Sequence, residues 1–451
     1  MKSRLDIKHM TEYLSLIDNN SKIPLDLYQK YNVKRGLRNS DGTGVLVGLT
    51  EIGDVHGYIM EEGDKIPVPG RLRYRGYNVE DLVKGFQICG RHGYEETAFL
   101  LLFGNIPKPQ DLEDFNIDLG ARRQLPDTFA EDMILKAPSS NIMNKLARSI
   151  LALYSFDEKA EDNSIPNVLR QSMELISQFP TIVAYAFQAM EHYFNGKSLY
   201  IHTPISNLST AENFLLMIRP DKKFTPLEAE VLDLALVLHA EHGGGNNSAF
   251  STHVVSSSGT DTYSAIAAAV GSLKGPLHGG AAIRVRGMME DLMEQVNDWS
   301  DESEVIAYLE ATLRKEKYDK KGLIYGMGHA VYTLSDPRAV LLKNRAELLS
   351  KEAGRSKEFD LYCMVERLSQ DIFDKYKKNG KKICANVDFY SGFVYSMLDI
   401  PTELYTPIFA VSRIAGWCAH RIEEIVSGGR IIRPAYKNVT SSKQYIKLSE
   451  R

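Results

Sequence analysis

The sequence predicts a mostly α-helical fold: a large helical domain, a smaller helical domain inserted into it, and a short β-hairpin region near the N-terminus. Three observations predict it. From Asn78 almost to the C-terminus, apolar residues recur at helical spacing. Only Gly42–Tyr77 alternates β-branched residues with Gly and Pro, the pattern of short hairpins. Between about Ala281 and Tyr390 the chain becomes more charged and more punctuated (DWSDESE, RKEKYDKKG, SKEAGRSKEF, KKNGKK), as a separate small domain would. The expected division is an N-terminal extension over 1–40, a large domain over 41–280 and 391–437, a small domain over 281–390, and a polar tail over 438–451.

The elements follow in order. The extension is polar, with a short amphipathic piece around Met10–Ile17. VEDLVKGFQICGRHG and YEETAFLLLFGNIP predict two helices, closed by Gly104 and Pro107. NKLARSILALY predicts another, and DEKAEDNSIP an acidic solvated loop. PTIVAYAFQAMEHYFNG predicts a helix that opens at Pro180 and ends at Gly196. TPLEAEVLDLALVLHAEH carries the clearest start signal: Thr225 and Glu228 form a capping box, with Pro226 at the first helical position. Its stripe of Val231, Leu234, Ala235 and Leu238 runs on to His242, and Gly243–Gly245 are expected to stop it. TDTYSAIAAAVGSLKG is a helix of small residues, suited to close helix packing or a subunit contact.

Composition excludes several function classes. Of 451 residues, 43% are hydrophobic and 25% charged, as in an ordinary soluble globular protein. A net charge of −4 implies no nucleic-acid or acidic-membrane partner. Cys89, Cys363, Cys384 and Cys418 have no C-x-x-C spacing and read as free buried thiols in a reducing compartment. No secretory h-region and no apolar run of ~18 residues is found, so no membrane span is expected and the cytoplasm is the expected location.

The chemistry concentrates between Leu238 and Arg338. That stretch holds His239, His242, His253, His278 and His329, five of the eleven histidines. Three sit against glycine, in H-G-G-G-N, P-L-H-G-G and G-M-G-H-A, and glycine bares backbone so that a ligand can come close. Neutral imidazoles there can donate hydrogen bonds to oxyanions; the alternative for His278 and His329 is a plain turn histidine. Asp388 in NVDFYSG reads either as a helix N-cap or as a general base whose pKa is raised by Val387 and Phe389. Arg338, in a first helical turn where a cation opposes the dipole, reads as an anion ligand or as a solvated side chain. Arg413 lies among apolar neighbours near Phe409 and needs a carboxylate, from substrate or from a structural Glu. Arg433 follows in IIRPAYK. Together these point to carbon-acid chemistry on a substrate bearing carboxylates. Zinc is the rival, because HAEH places His239 and His242 at i, i+3, but it lacks the H-E-x-x-H spacing and base. The phosphate signals are GTGVLVG, which no strand precedes, and GLIYGMGH, which offers backbone groups after Lys320-Lys321.

HAEHGGGNNSAFSTH, GPLHGGA, YGMGHAVY with SDPRA, NVDFYSG, FAVSR and RPAYK, in this order, resemble the successive site motifs of citrate synthase, over about residues 40–437. GRLRYRGYNVEDL resembles the family's hairpin region. The resemblance implies a two-domain helical homodimer with each site between the domains. It implies condensation of acetyl-CoA with oxaloacetate and water, with no cofactor and no metal; 2-methylcitrate synthase, which uses propionyl-CoA, shares every motif. Carried over by motif, Asp388 would abstract the methyl proton, His278 would hydrogen-bond the thioester oxygen, and His329 would polarise and protonate the ketone oxygen. His242, Asn246, Arg338, Phe409 and Arg413 would bind oxaloacetate, with Arg433 reaching in from the other subunit. Leu323, Ile324, Gly326, Met327, Gly328 and Asn386 match positions around CoA. The chain departs from the family at LIYGMG, where Pro-Gly-Tyr or Pro-Gly-Phe is commoner, and at CANVD, where YPNVD is frequent.

Overall fold

The computed structural model describes residues 7–62, 64–377 and 382–451. Two compact units divide the chain after Leu49. The first holds α1 (Ile7–Asn20), α2 (Leu25–Lys30) and a 3₁₀ turn at Arg35–Leu37. Its described side chains are exposed or half-buried; Tyr13, Leu14, Leu16 and Ile17 lie open on α1.

The second unit, Thr50–Arg451, opens with one antiparallel sheet of three strands: β1 (Gly53–Glu61), β2 (Asp64–Tyr74) and β3 (Tyr77–Asn78). Gly53 pairs with Tyr74, and the register shifts between His56 and Tyr58. The hairpin region is therefore narrower than expected. Gly42–Leu49 carries only an isolated bridge from Gly44 to Arg38, and one long hairpin replaces several short ones.

Among the described residues, fifteen α-helices follow in this unit: α3 (Val79–Ile88), α4 (Tyr94–Phe103), α5 (Pro109–Ala121), α6 (Ile142–Leu153), α7 (Ile165–Asn195), α8 (Thr210–Ile218), α9 (Pro226–His239), α10 (Asn247–Ser256), α11 (Thr262–Lys274), α12 (Ala281–Gln295), α13 (Glu302–Leu313), α14 (Pro337–Glu352), α15 (Ser356–Lys377), α16 (Val387–Met397) and α17 (Tyr405–Val426). The mostly helical reading is correct. Gly104 closes α4 at φ 82°, a left-handed conformation that glycine adopts without strain. The capping box at Thr225–Glu228 starts α9 as its residues predict.

Two helices depart from expectation. Pro180 opens nothing; it lies inside α7, which runs unbroken for 31 residues. Proline removes one hydrogen bond there, but the whole stretch from Leu175 to Glu191 is buried, and that packing outweighs the local loss. The second departure is α9, which stops at His239, short of His242 and of the glycines. Continuing the helix would need the Gly243 N–H on the His239 carbonyl. That carbonyl instead accepts from Arg413 Nε at 2.5 Å, and the Gly243 N–H turns to the Glu241 carboxylate.

The core is held by α17, which packs against α7, α9, α10, α11 and α4. Its residues Ile414, Ala415, Trp417, Cys418 and Ala419 are fully buried. The helix carries its charged residues, Arg413, His420 and Arg421, into that same interior. The four cysteines are free thiols, but only Cys384 and Cys418 are buried as expected; Cys363 is half-buried and Cys89, at the end of α3, is exposed. No described helix is long and apolar enough to cross a membrane.

Candidate active site

Six segments carry the predicted residues: the turn after α9, the N-terminus of α10, the loops before α12 and α14, the start of α16 and the first half of α17. The turn after α9 presents His242. Its ring stands edge-on to His329 at 5.1 Å and to Tyr332 at 5.7 Å. Its Nε2 is inaccessible and has no hydrogen-bond partner among the described residues. Burial, with Arg338 next, holds its pKa well below the usual range, so the ring is neutral.

His329 lies in the loop before α14. Its Nδ1 accepts hydrogen bonds from the Val331 and Tyr332 N–H groups, at 3.1 and 3.2 Å. A ring nitrogen that accepts cannot carry the proton, so the neutral ring carries it on Nε2. Tyr332 stacks on this ring at 4.7 Å and is completely buried. Tyr332 was not singled out in the sequence; its only signal is a position three residues after His329.

Asp388 occupies the first turn of α16 but is not the cap. Asn386 is the N-cap, its side chain accepting from the Asp388 N–H at 3.0 Å. Among the described residues no hydrogen bond to the Asp388 carboxylate is found. Burial pushes its pKa up to about 6, with Arg338 and Arg413 pulling the other way. The carboxylate therefore shares the field of both guanidiniums.

The arginines differ in how they are held. Arg338 is neither solvated nor unpaired: it is buried, and Asp336, the N-cap of α14, takes its Nε at 3.0 Å and its Nη2 at 2.7 Å. Arg413 is 1% exposed, and Nη1 and Nη2 find no hydrogen-bond acceptor among the described residues. Its guanidinium lies 4.7 Å from the Phe409 ring. A buried guanidinium with two open nitrogens is a site waiting for an anion, since leaving it unpaired costs several kcal/mol (about 1–3 per buried donor group).

His278 sits in a turn with Nε2 3.0 Å from the Ser248 hydroxyl. That hydroxyl also receives Trp417 Nε1 at 3.1 Å and lies 2.9 Å from Asn246 Oδ1. Burial, then Arg413, lowers the His278 pKa to about 4, so this ring too is neutral. Asn246 caps α10. Phe409 is half-buried and contacts His239 and His278, with ring centroids 4.7 and 6.5 Å apart.

The glycine loop before His329 is stitched to the segment that leads into α16. Gly328 N–H donates to the Cys384 carbonyl at 2.8 Å, Asn386 N–H to the Gly326 carbonyl at 2.9 Å, and the Asn386 side chain to the Gly328 carbonyl at 2.9 Å. Met327 pairs with Ala385 in an isolated bridge. Gly326 has φ 80°, and a Cβ there would lie 2.8 Å from Phe389. Leu323 is half exposed, whereas Ile324 is 3% exposed, so only its backbone faces a ligand. Arg433 is exposed, in an extended segment that Ile432 ties to α10 through the Ser257 hydroxyl at 3.1 Å.

The HAEH zinc reading fails on geometry. His239 Nδ1 is spent on the Ala235 carbonyl at 2.8 Å and its ring packs on Phe409, whereas His242 turns to His329. Among the described residues, neither belongs to a group of three metal-capable side chains.

The comparisons with known proteins give the family. A family model described as "Citrate synthase, C-terminal domain" matches residues 39–435. The chain belongs to the citrate synthase family. It is 35% identical over 385 residues to a citrate synthase of Synechocystis sp., covering 85% of this chain and 88% of that one. A citrate synthase of Haloferax volcanii is 34% identical, over 89% of this chain and 94% of its own. A 2-methylcitrate synthase of Shewanella oneidensis is 31% identical, over 84% and 92%. The crystal structure of citrate synthase from Pyrobaculum aerophilum superposes with a TM-score of 0.73 at 31% identity, over 90% of this chain and 94% of that one. A citrate synthase of Thermoplasma acidophilum, solved as a ternary complex with carboxymethyl coenzyme A and oxaloacetate, gives 0.73 at 26% identity, over 93% and 99%. The protein is thus an enzyme of an acyl-transferring family.

Proposed function

We propose that the protein condenses acetyl-CoA with oxaloacetate and water to give citrate and CoA, the si-type reaction, with no cofactor and no metal taking part. The observation that carries this reading is the Asp388 carboxylate: raised to about 6, free of described hydrogen bonds, and set in the field of Arg338 and Arg413. It is a base poised to work near neutral pH.

In this reading Arg413, Arg338 and His242 hold the oxaloacetate carboxylates, with Asn246 and Phe409 shaping the pocket. The bare Arg413 nitrogens and His242 Nε2 support that assignment. His329 Nε2–H donates to the ketone oxygen, making the carbonyl carbon electrophilic. His278, held through Nε2 by the Ser248 hydroxyl, hydrogen-bonds the thioester oxygen. Asp388 then removes a methyl proton as the enol forms against His278. The new carbon attacks the ketone carbon, His329 supplies the proton to its oxygen, and water cleaves the thioester to release the CoA thiol. A thioester methyl is so weak an acid that the base succeeds only with the enolate oxygen stabilised at once. CoA lies along Leu323, Ile324, Gly326, Met327, Gly328 and Asn386.

Residues 281–390 form the small lobe, which closes on 41–280 and 391–437 to exclude water until the carbon–carbon bond exists. The chain works as a cytoplasmic homodimer, with Arg433 entering the partner's site. The second reading, 2-methylcitrate synthase using propionyl-CoA, is favoured by the Shewanella relative. Release of CoA thiol with each acyl-CoA and oxaloacetate decides between them. Acetyl-CoA is expected to have the higher kcat/KM; a clear propionyl preference selects the second reading, and no thiol release with either overturns both.

A further inference from the structure

Behind the His242 turn lies a second cluster that the reaction does not use. His253 comes from α10, and His420 and Glu423, three residues apart on one face, come from α17. One ligand atom from each lies within 4.8 Å of the others. We propose that His253 Nε2, His420 Nδ1 and Glu423 Oε2 bind a divalent transition-metal ion of the zinc or cobalt class, separate from the catalytic residues.

The argument rests on where the protons must be. His253 Nδ1 lies 2.8 Å from Glu424 Oε2, so that nitrogen carries its proton and Nε2 keeps its lone pair. His420 Nε2 lies 3.1 Å from Glu241 Oε2, but neither atom makes a hydrogen bond among the described residues. His420 instead bonds through Nδ1, which donates to His253 Nε2 at 3.1 Å. That bridging proton occupies the place of a cation between two ring nitrogens, and a metal ion would replace it. A third donor favours the metal. Glu423 Oε1 accepts the Glu51 N–H at 2.7 Å, but its Oε2 is inaccessible and has no hydrogen-bond partner among the described residues. That oxygen lies 3.8 Å from His420 Nδ1.

The spacing suits the ion. Bonds of ~2.0–2.1 Å in a tetrahedral site put ligand atoms ~3.3–3.4 Å apart, between the two distances here. Each histidine also has a carboxylate beside its far nitrogen, the arrangement that orients metal-binding imidazoles and raises their basicity. Two neutral imidazoles and one carboxylate leave a fourth position for water. The charges agree as well: Glu241, Glu423 and Glu424 surround the pair, and no lysine or arginine forms a described ion pair with any of the three. His253 and Glu423 keep 13% and 15% of their side-chain surface exposed, so an ion can reach the site from solvent.

The test uses the full-length protein, treated with a chelator and then titrated with Co²⁺ and with Zn²⁺. One Co²⁺ per chain is expected, with a visible absorption band that Zn²⁺ removes, and Zn²⁺ is expected to raise Tm. His253→Gln and Glu423→Gln are each expected to weaken binding at least ~10-fold and to abolish the rise in Tm, whereas His192→Gln, an exposed histidine elsewhere, is expected to change neither. Glu423→Gln keeps the shape of the side chain, so it stays informative if the histidine variant fails to fold. No stoichiometric Co²⁺ binding, or equal binding by Glu423→Gln, overturns the proposal and leaves a shared proton between the rings. CoA release is read separately, so this outcome does not bear on the condensation reaction.

Discussion

Asp388 must be hard to ionise to be a useful base, and the same burial makes it a liability for stability. Its folded pKa of about 6 lies above the ~3.9 of an unfolded aspartate. A group shifted in this direction stabilises the fold fully below pH ~4, and that contribution is lost as pH rises through about 6. Asp388→Asn removes the buried charge and is therefore expected to stabilise the protein by about 3 kcal/mol at pH 8, but not at pH 4. Urea unfolding at the two pH values checks it; equal effects at both would refute the sign. The catalytic counterpart is an acid limb in kcat/KM with a midpoint near pH 6. Asp388→Ala is expected to lower kcat by at least ~10³ while calorimetry still detects oxaloacetate, because the arginines and His242 remain. Loss of oxaloacetate binding in that variant would assign Asp388 a different role. His278, His329 and Asp388 could be singled out as candidates because glycine neighbours and chemical type are local features. The Asp336–Arg338 pair and the tautomer of His329 were not, since both depend on side-chain directions that a string of letters does not carry.

Among the elements, the hairpin and the His329 loop are fitted to each other with almost no clearance. The Gly70 N–H donates to the Ser335 hydroxyl at 3.2 Å, and a Cβ at Gly70 would lie 2.2 Å from the Ser335 carbonyl and 2.5 Å from the Tyr332 ring. Tyr332 stacks on His329, so pressure at Gly70 reaches the His329 imidazole. Gly70→Ala is expected to cost about 2–3 kcal/mol of stability and to raise the KM for oxaloacetate more than that for acetyl-CoA. Denaturant unfolding and steady-state kinetics measure the two effects; a change in stability alone would mean that the loop yields without moving His329. The α9 helix shows why such couplings escape a reading of the sequence. Its start is written in adjacent residues, Thr225 to Glu228. Its end depends on Arg413, 174 residues away, capturing the His239 carbonyl. Pro180 makes the same point: local chemistry argues for a boundary, and the buried length of α7 overrides it.

At the scale of the whole molecule, the proposed function has each site completed by a second chain. Arg433 is exposed, in the irregular segment after α17, whereas Asp388 lies in the first turn of α16. A two-fold dimer in which each tail enters its partner's site would complete both sites by the same contact, as an isologous interface requires. Mixing separates this arrangement from one in which Arg433 serves its own chain. Arg433→Ala chains retain Asp388, and Asp388→Ala chains retain Arg433. In a mixed dimer of the two, arginine donated across the interface rebuilds one intact site and leaves the other with both defects. Random equal mixing makes half the dimers mixed, so about a quarter of wild-type turnover should return. If Arg433 served its own chain, each mixed site would keep a single defect and no activity would be regained. The measurement is CoA release after unfolding and refolding the two variants together, against each refolded alone. Recovery must also scale with the fraction of mixed dimers as the input ratio is varied, which a contaminating wild-type chain would not reproduce.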